Sequence, residues 1–270
     1  MIIYWEGVVT RFVAIGDSFT EGLGDAQPDG SVRGWADLVA AGLAAGRKET
    51  VQYANLAIRG RLLEPIVNEQ LEAALALSPT PTLLTLNGGG NDMLRPGGDM
   101  SRLVRLTEHA VQRCAEAGVR MVLLTGADPS DRLPLGAMMR RRGEALTQAV
   151  ADIATRYDIT LVNVFHDPEI RRAGYWSPDR LHLNTCGHRR VAGLVLTALG
   201  HETAAHVIDP GPVESRRVLA EARYYREHVL PWVNRRLRGR SSGDNRTGKY
   251  LNWVAIEATQ PSDQPTTEAV

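Results

Sequence analysis

Five short runs of β-forming, mostly apolar residues recur along this chain: Phe12–Ile15, Val51–Leu56, Thr82–Leu86, Val119–Leu124 and Thr160–Val164. Between them the apolar residues return at helical spacing. Trp35, Leu38, Val39 and Leu43 form one such face, and Leu103, Leu106, Ala110, Val111 and Cys114 another. Helices are also expected over Arg61–Leu77, with Pro65 suited to a first turn, and around Glu144–Ile153. A last one spans Thr185–Leu199, with Asn184 as its N-cap and Gly200 as its stop. Short strands alternating with helices predict a parallel sheet covered on both faces, an α/β fold.

In such sheets the working residues sit on loops at the carboxyl ends of strands. That rule selects the loops holding Ser18, Gly60 and Asn91. The first reads Ile15-Gly-Asp-Ser-Phe-Thr-Glu-Gly22, a glycine-flanked corner directly after a buried run. A serine there is either a turn residue or a nucleophile. As a nucleophile it needs a base, a group to orient that base, and donors for the oxyanion. Ser177-Pro-Asp-Arg-Leu-His-Leu-Asn184 supplies Asp179 and His182, close enough in sequence for one loop to present both. Gly88-Gly-Gly-Asn-Asp92 lets backbone approach a substrate closely and offers the Asn91 amide as a neutral donor. Asn55-Leu-Ala-Ile-Arg-Gly60 places a further glycine N–H on the neighbouring loop.

These four blocks, in this order, resemble the SGNH (GDSL) hydrolase family, over roughly residues 10–200. The resemblance implies Ser18 as nucleophile, His182 as general base and then acid, and Asp179 as the group orienting His182. It implies an oxyanion hole made by the N–H groups of Ser18 and Gly60 and the side chain of Asn91. It further implies a flavodoxin-like three-layer α/β/α sandwich on a five-stranded parallel sheet, a small-molecule ester as substrate, and no metal or organic cofactor. Asp17 and Asp92 are expected to hold loop backbone so that Ser18 and Asn91 point correctly. Tyr175 and Trp176 either line a pocket or pack the core. Arg59, Arg61 and Arg95 flank the site loops, as solvated charges or as partners for an anionic substrate group.

Two neighbouring readings fail. An α/β-hydrolase elbow needs Gly-x-Ser-x-Gly, and position 20 is threonine. A dinucleotide fold wants Gly-x-Gly-x-x-Gly after the first strand, where the chain has Gly22-Leu-Gly24 and then Pro28. An acyltransferase using the same Ser–His–Asp set, or a non-catalytic binding protein on the same fold, remains an alternative to the esterase. The motifs leave the acyl and alcohol groups of the substrate open.

Lys+Arg and Asp+Glu each total 31, so no global field draws the chain to nucleic acid or to an acidic membrane. Cys114 and Cys186 have no CxxC spacing and read as reduced thiols. The start of the chain lacks a basic n-region, and no apolar stretch reaches the ~18 residues of a membrane span, which argues for a cytoplasmic protein. The hydrolase domain is placed at 1–200 and a C-terminal extension at 201–270. Pro210-Gly-Pro212 breaks the chain. Val218, Ala222, Tyr225, Val229, Val233 and Leu237 then line one face of a helix that Pro231 would kink. From 235 to 249, six cationic residues stand against Asp244 alone, a basic loop that is either solvated or meets an anionic partner such as nucleic acid, a membrane surface or an acidic subunit face. Gln260–Val270 is polar and is expected to be disordered.

Overall fold

The computed structural model describes residues 9–95, 98–133, 135–201, 208–211 and 242–258. The kinked amphipathic helix, residues 235–241 of the basic loop and the polar tail read from the sequence lie outside these residues.

Five strands run parallel: β1 (Arg11–Ile15), β2 (Val51–Asn55), β3 (Leu83–Leu86), β4 (Arg120–Leu124) and β5 (Thr160–Val162). A sixth, β6 (Tyr250–Ile256), pairs antiparallel with β2, giving the order β5-β4-β3-β1-β2-β6. The five parallel strands are those expected. The sixth lies in the segment placed in the C-terminal extension and was not foreseen, so residues 250–256 are an integral edge of the hydrolase sheet.

Alternation along β1 shows why the sheet needs two covers. Phe12 and Ala14 face one side, with residues of α2 (Trp35–Arg47) and α8 (Thr185–Ala198). Val13 and Ile15 face the other, with α3 (Leu63–Pro65), a π-helical turn (Ile66–Leu71) and α4 (Glu72–Leu75). The same side carries α6 (Met100–Glu116) and α7 (Gly136–Arg156). Two short helices, α1 (Ser18–Glu21) and α5 (Gly90–Met93), follow β1 and β3 directly. The predicted caps form: the Asn184 side chain accepts the Gly187 N–H to open α8, and Gly200 turns the chain just past its end at φ 87°.

Strand order reverses between β1 and β3, and the crevice at such a switch point is where parallel sheets hold ligands. The loop after β1 carries Ser18 and the loop after β3 carries Asn91.

Candidate active site

Gly16 leaves β1 in a corner that admits no side chain. A Cβ there would stand 2.6 Å from Thr20 Oγ1 and 2.7 Å from the Asn87 carbonyl oxygen. The buried Gln70 side chain grips the same residue, accepting from the Gly16 N–H at 2.8 Å and donating to its carbonyl at 3.0 Å. Gln70 comes from the π-helical turn, a local widening that often marks functional positions. Asp17 then caps α1 by accepting the Phe19 N–H, and Ser18 opens the helix. The first N–H groups of a helix have no partner within it, so the Ser18 N–H is not consumed by α1.

Across the crevice, His182 Nε2 lies 3.0 Å from Ser18 Oγ and His182 Nδ1 lies 2.6 Å from Asp179 Oδ2. With Nδ1–H donating to Asp179, Nε2 is the acceptor for the serine proton. Asp179 is fixed in turn, its Oδ1 accepting from Ser177 Oγ and from the N–H groups of Leu181 and His182. Burial alone would raise the Asp179 pKa. The hydrogen bond and charge of His182, with the Ser177 and backbone donors, outweigh it and hold the carboxyl well below the usual carboxylate range. Asp179 therefore stays ionised and favours the imidazolium that proton transfer creates.

Asn91 lines the same cleft as Ser18 and His182. Its Nδ2 donates to Asp17 Oδ2 and to the Arg61 carbonyl, each at 3.0 Å. Both amide hydrogens are thus engaged, and donation to an oxyanion requires one to be shared or exchanged. Asp17 is pushed up to about 6, chiefly by burial, against the Phe19 N–H and the charge of His182. Asp92 accepts the Leu63 N–H. Both aspartates thus hold loop backbone, as the sequence suggested, and Asp17 also holds the Asn91 amide.

Gly60 has φ 74° and sits between two anchored neighbours. The Arg59 N–H donates to Glu21 Oε2 at 2.7 Å, and the Arg61 carbonyl receives Asn91. Glu21 stands at the end of the helix that Ser18 begins, so the Gly60 loop is tied to both the serine and the asparagine. The Arg59 side chain is spent on the nearly buried Glu21 carboxylate, and Arg61 lies 3.7 Å from Glu69. Tyr175 is fully buried, with its hydroxyl on the Ile208 carbonyl, whereas Trp176 lines the cleft. Glu21 and Gln70 were missed in the sequence. Nothing in a lone glutamate or glutamine announces which loop it will grip.

The cleft is a cavity of about 150 Å³, walled by Phe19, Leu124, Met139, Leu146, Phe165 and Trp176. Ser18, His182 and Asp179 thus form a hydrogen-bonded chain beside an apolar cleft, on a flavodoxin-like α/β sheet. The model of the GDSL-like Lipase/Acylhydrolase family matches residues 14–190, and the chain belongs to that family. It is a carboxylic ester hydrolase. Solved structures share the fold. TesA is 24% identical, with a TM-score of 0.58 over 70% of this chain and 98% of its own. A catalytic mutant of Axe2, an acetylxylan esterase from Geobacillus stearothermophilus, is 18% identical, with a TM-score of 0.61 over 72% and 97%. The psychrotrophic esterase EstA from Pseudoalteromonas sp. is 19% identical, with a TM-score of 0.56 over 71% and 97%. No curated protein matches in sequence. Among the described residues, no helix is long and apolar enough to cross a membrane.

Proposed function

We propose that the protein hydrolyses carboxylic esters with small apolar acyl groups through an acyl-enzyme on Ser18. Ser18 Oγ attacks the ester carbonyl carbon while His182 Nε2 takes the hydroxyl proton. The carbonyl oxygen becomes an oxyanion, met by the N–H groups of Ser18 and Gly60 and by the Asn91 amide. Collapse breaks the bond to the alcohol, which leaves with the proton from His182. Water, deprotonated by the same nitrogen, then releases the acid and restores Ser18.

The single observation that carries the reading is His182 within hydrogen-bond reach of both Ser18 Oγ and Asp179. The acyl class follows from the apolar walls and the volume of about 150 Å³. A cavity of roughly that size holds one benzene, which corresponds to an acyl group of about four to six carbons. The two free cysteines, Cys114 and Cys186, support the cytoplasmic location expected from the sequence.

Treatment with an activated alkyl phosphonate, followed by peptide mapping, tests the nucleophile. One phosphonyl group on Ser18, with loss of esterase activity, is expected. Full inactivation with the label on another residue would overturn the assignment.

A further inference from the structure

The family match stops at residue 190, and these solved structures match 70–72% of the chain, yet residues 242–249 sit at the catalytic end of the sheet and 250–256 line the edge of β2. Tyr250 pairs with Asn55 at the carboxyl end of β2, so the turn before Tyr250 lies where β2 runs out toward Gly60. Its backbone lies directly against that exit. A Cβ on Gly248 would fall 2.6 Å from Leu56 Cα, and one on Gly243 would fall 2.1 Å from the Arg59 carbonyl oxygen and 3.0 Å from Ile58 Cγ2. Lys249 fastens the turn, its Nζ donating to Asp37 Oδ2 at 2.7 Å and to the Arg33 carbonyl at 2.6 Å. Tyr250 packs edge-on against Tyr53, with ring centroids 5.8 Å apart.

Arg59 is therefore held from two sides. The Glu21 carboxylate takes its backbone N–H and its guanidinium, and the Gly243 backbone lies against its carbonyl. Gly60 is the next residue. We propose that residues 242–256 form a brace that seats the oxyanion loop, with Gly243 and Glu21 as positioning residues for the Gly60 N–H. The proposal rests on the acyl-enzyme reading above. It gives part of the C-terminal extension a catalytic purpose beyond covering the edge of β2. Oxyanion donors act mainly in the transition state, so the brace should show itself in kcat and leave KM alone.

The test is steady-state kinetics on p-nitrophenyl butyrate, with melting temperatures, for Gly243→Ala, Glu21→Gln, Val9→Ser and Ser18→Ala. The added methyl of Gly243→Ala must displace Arg59 by about 1 Å, a misplacement worth roughly 10- to 100-fold in kcat. KM should hold. Glu21→Gln keeps an acceptor for the Arg59 N–H but loses the ion pair, so kcat should fall less, again with KM held. Val9 is half-exposed just ahead of β1, at the end of the sheet away from Ser18, and Val9→Ser should leave kcat unchanged. Lowered melting temperatures with wild-type kcat in both Gly243→Ala and Glu21→Gln would make the segment a sheet edge only and overturn the brace. If Gly243→Ala does not fold, Glu21→Gln decides alone by its kcat. Ser18→Ala separates the two claims: its inactivity upholds the acyl-enzyme reading whatever the brace variants do.

Discussion

His182 Nε2 stands 3.0 Å from Ser18 Oγ, although 164 residues of chain separate them. Ser18 is placed by the corner after β1, and His182 by the loop that opens α8. The buried His188 ties that helix back to the Ser18 side. It accepts the Trp35 N–H at Nδ1 and donates to the Leu23 carbonyl from Nε2.

Removing that tie should be costly. His188→Ala leaves a cavity and two backbone groups without partners, worth about 2–4 kcal/mol. Burial depresses the His188 pKa to about 4 from 6.5, so the unfolded chain binds the extra proton first as the pH falls. Its contribution to stability is therefore complete above pH 6.5 and declines toward pH 4, by about 3 kcal/mol. Asp17 acts in reverse. Its raised pKa means the folded protein takes up a proton between about 6 and 3.8, so its burial penalty is full above pH 6 and relieved below. Urea denaturation at pH 7.5 and pH 5 checks this. Compared with wild type, the variant should be less stable at pH 7.5, with the deficit shrinking at pH 5.

Asp17 should also appear in the kinetics. As the pH falls through about 6, its carboxylate gains a proton and weakens as acceptor for Asn91. The pH–rate profile should contain that ionisation. Asp17→Asn turns an NH₂ toward either the Phe19 N–H or the Asn91 amide, so kcat at pH 8 should drop, by about 10- to 100-fold. The same profile measured on the variant should lack the step near pH 6.

Asp179→Asn keeps the shape of the loop but offers His182 Nδ1 no anion. Loss of the correct tautomer should lower kcat on the order of 10⁴-fold, with KM little changed. The lowered Asp179 pKa stabilises the fold above pH 3.8, and that support is lost as the pH falls below it. Steady-state kinetics at pH 8, beside acid unfolding of both proteins, checks the two parts.

Most of this arrangement was legible because it is local. Ser18 and Asn91 lie at glycine-marked strand ends, and Asp179 and His182 share one proline-marked loop that opens α8. The five parallel strands are short apolar runs that periodicity finds. What escaped depends on distant chain. Tyr250–Ile256 is a strand only because β2 offers it an edge, and the positive charge of its neighbours reads instead as a loop facing solvent or an anionic partner. Lys249, read as part of that basic loop, is in fact held by Asp37. Glu21 and Gln70 act by gripping backbone of other loops, a role that no spacing encodes.

The central claim is that the Ser18 hydroxyl attacks the ester. The most direct measurement is kcat/KM of Ser18→Ala on p-nitrophenyl butyrate, with folding verified by circular dichroism. A loss on the order of 10⁶-fold is predicted. A folded Ser18→Ala protein retaining activity within about tenfold of wild type would contradict it.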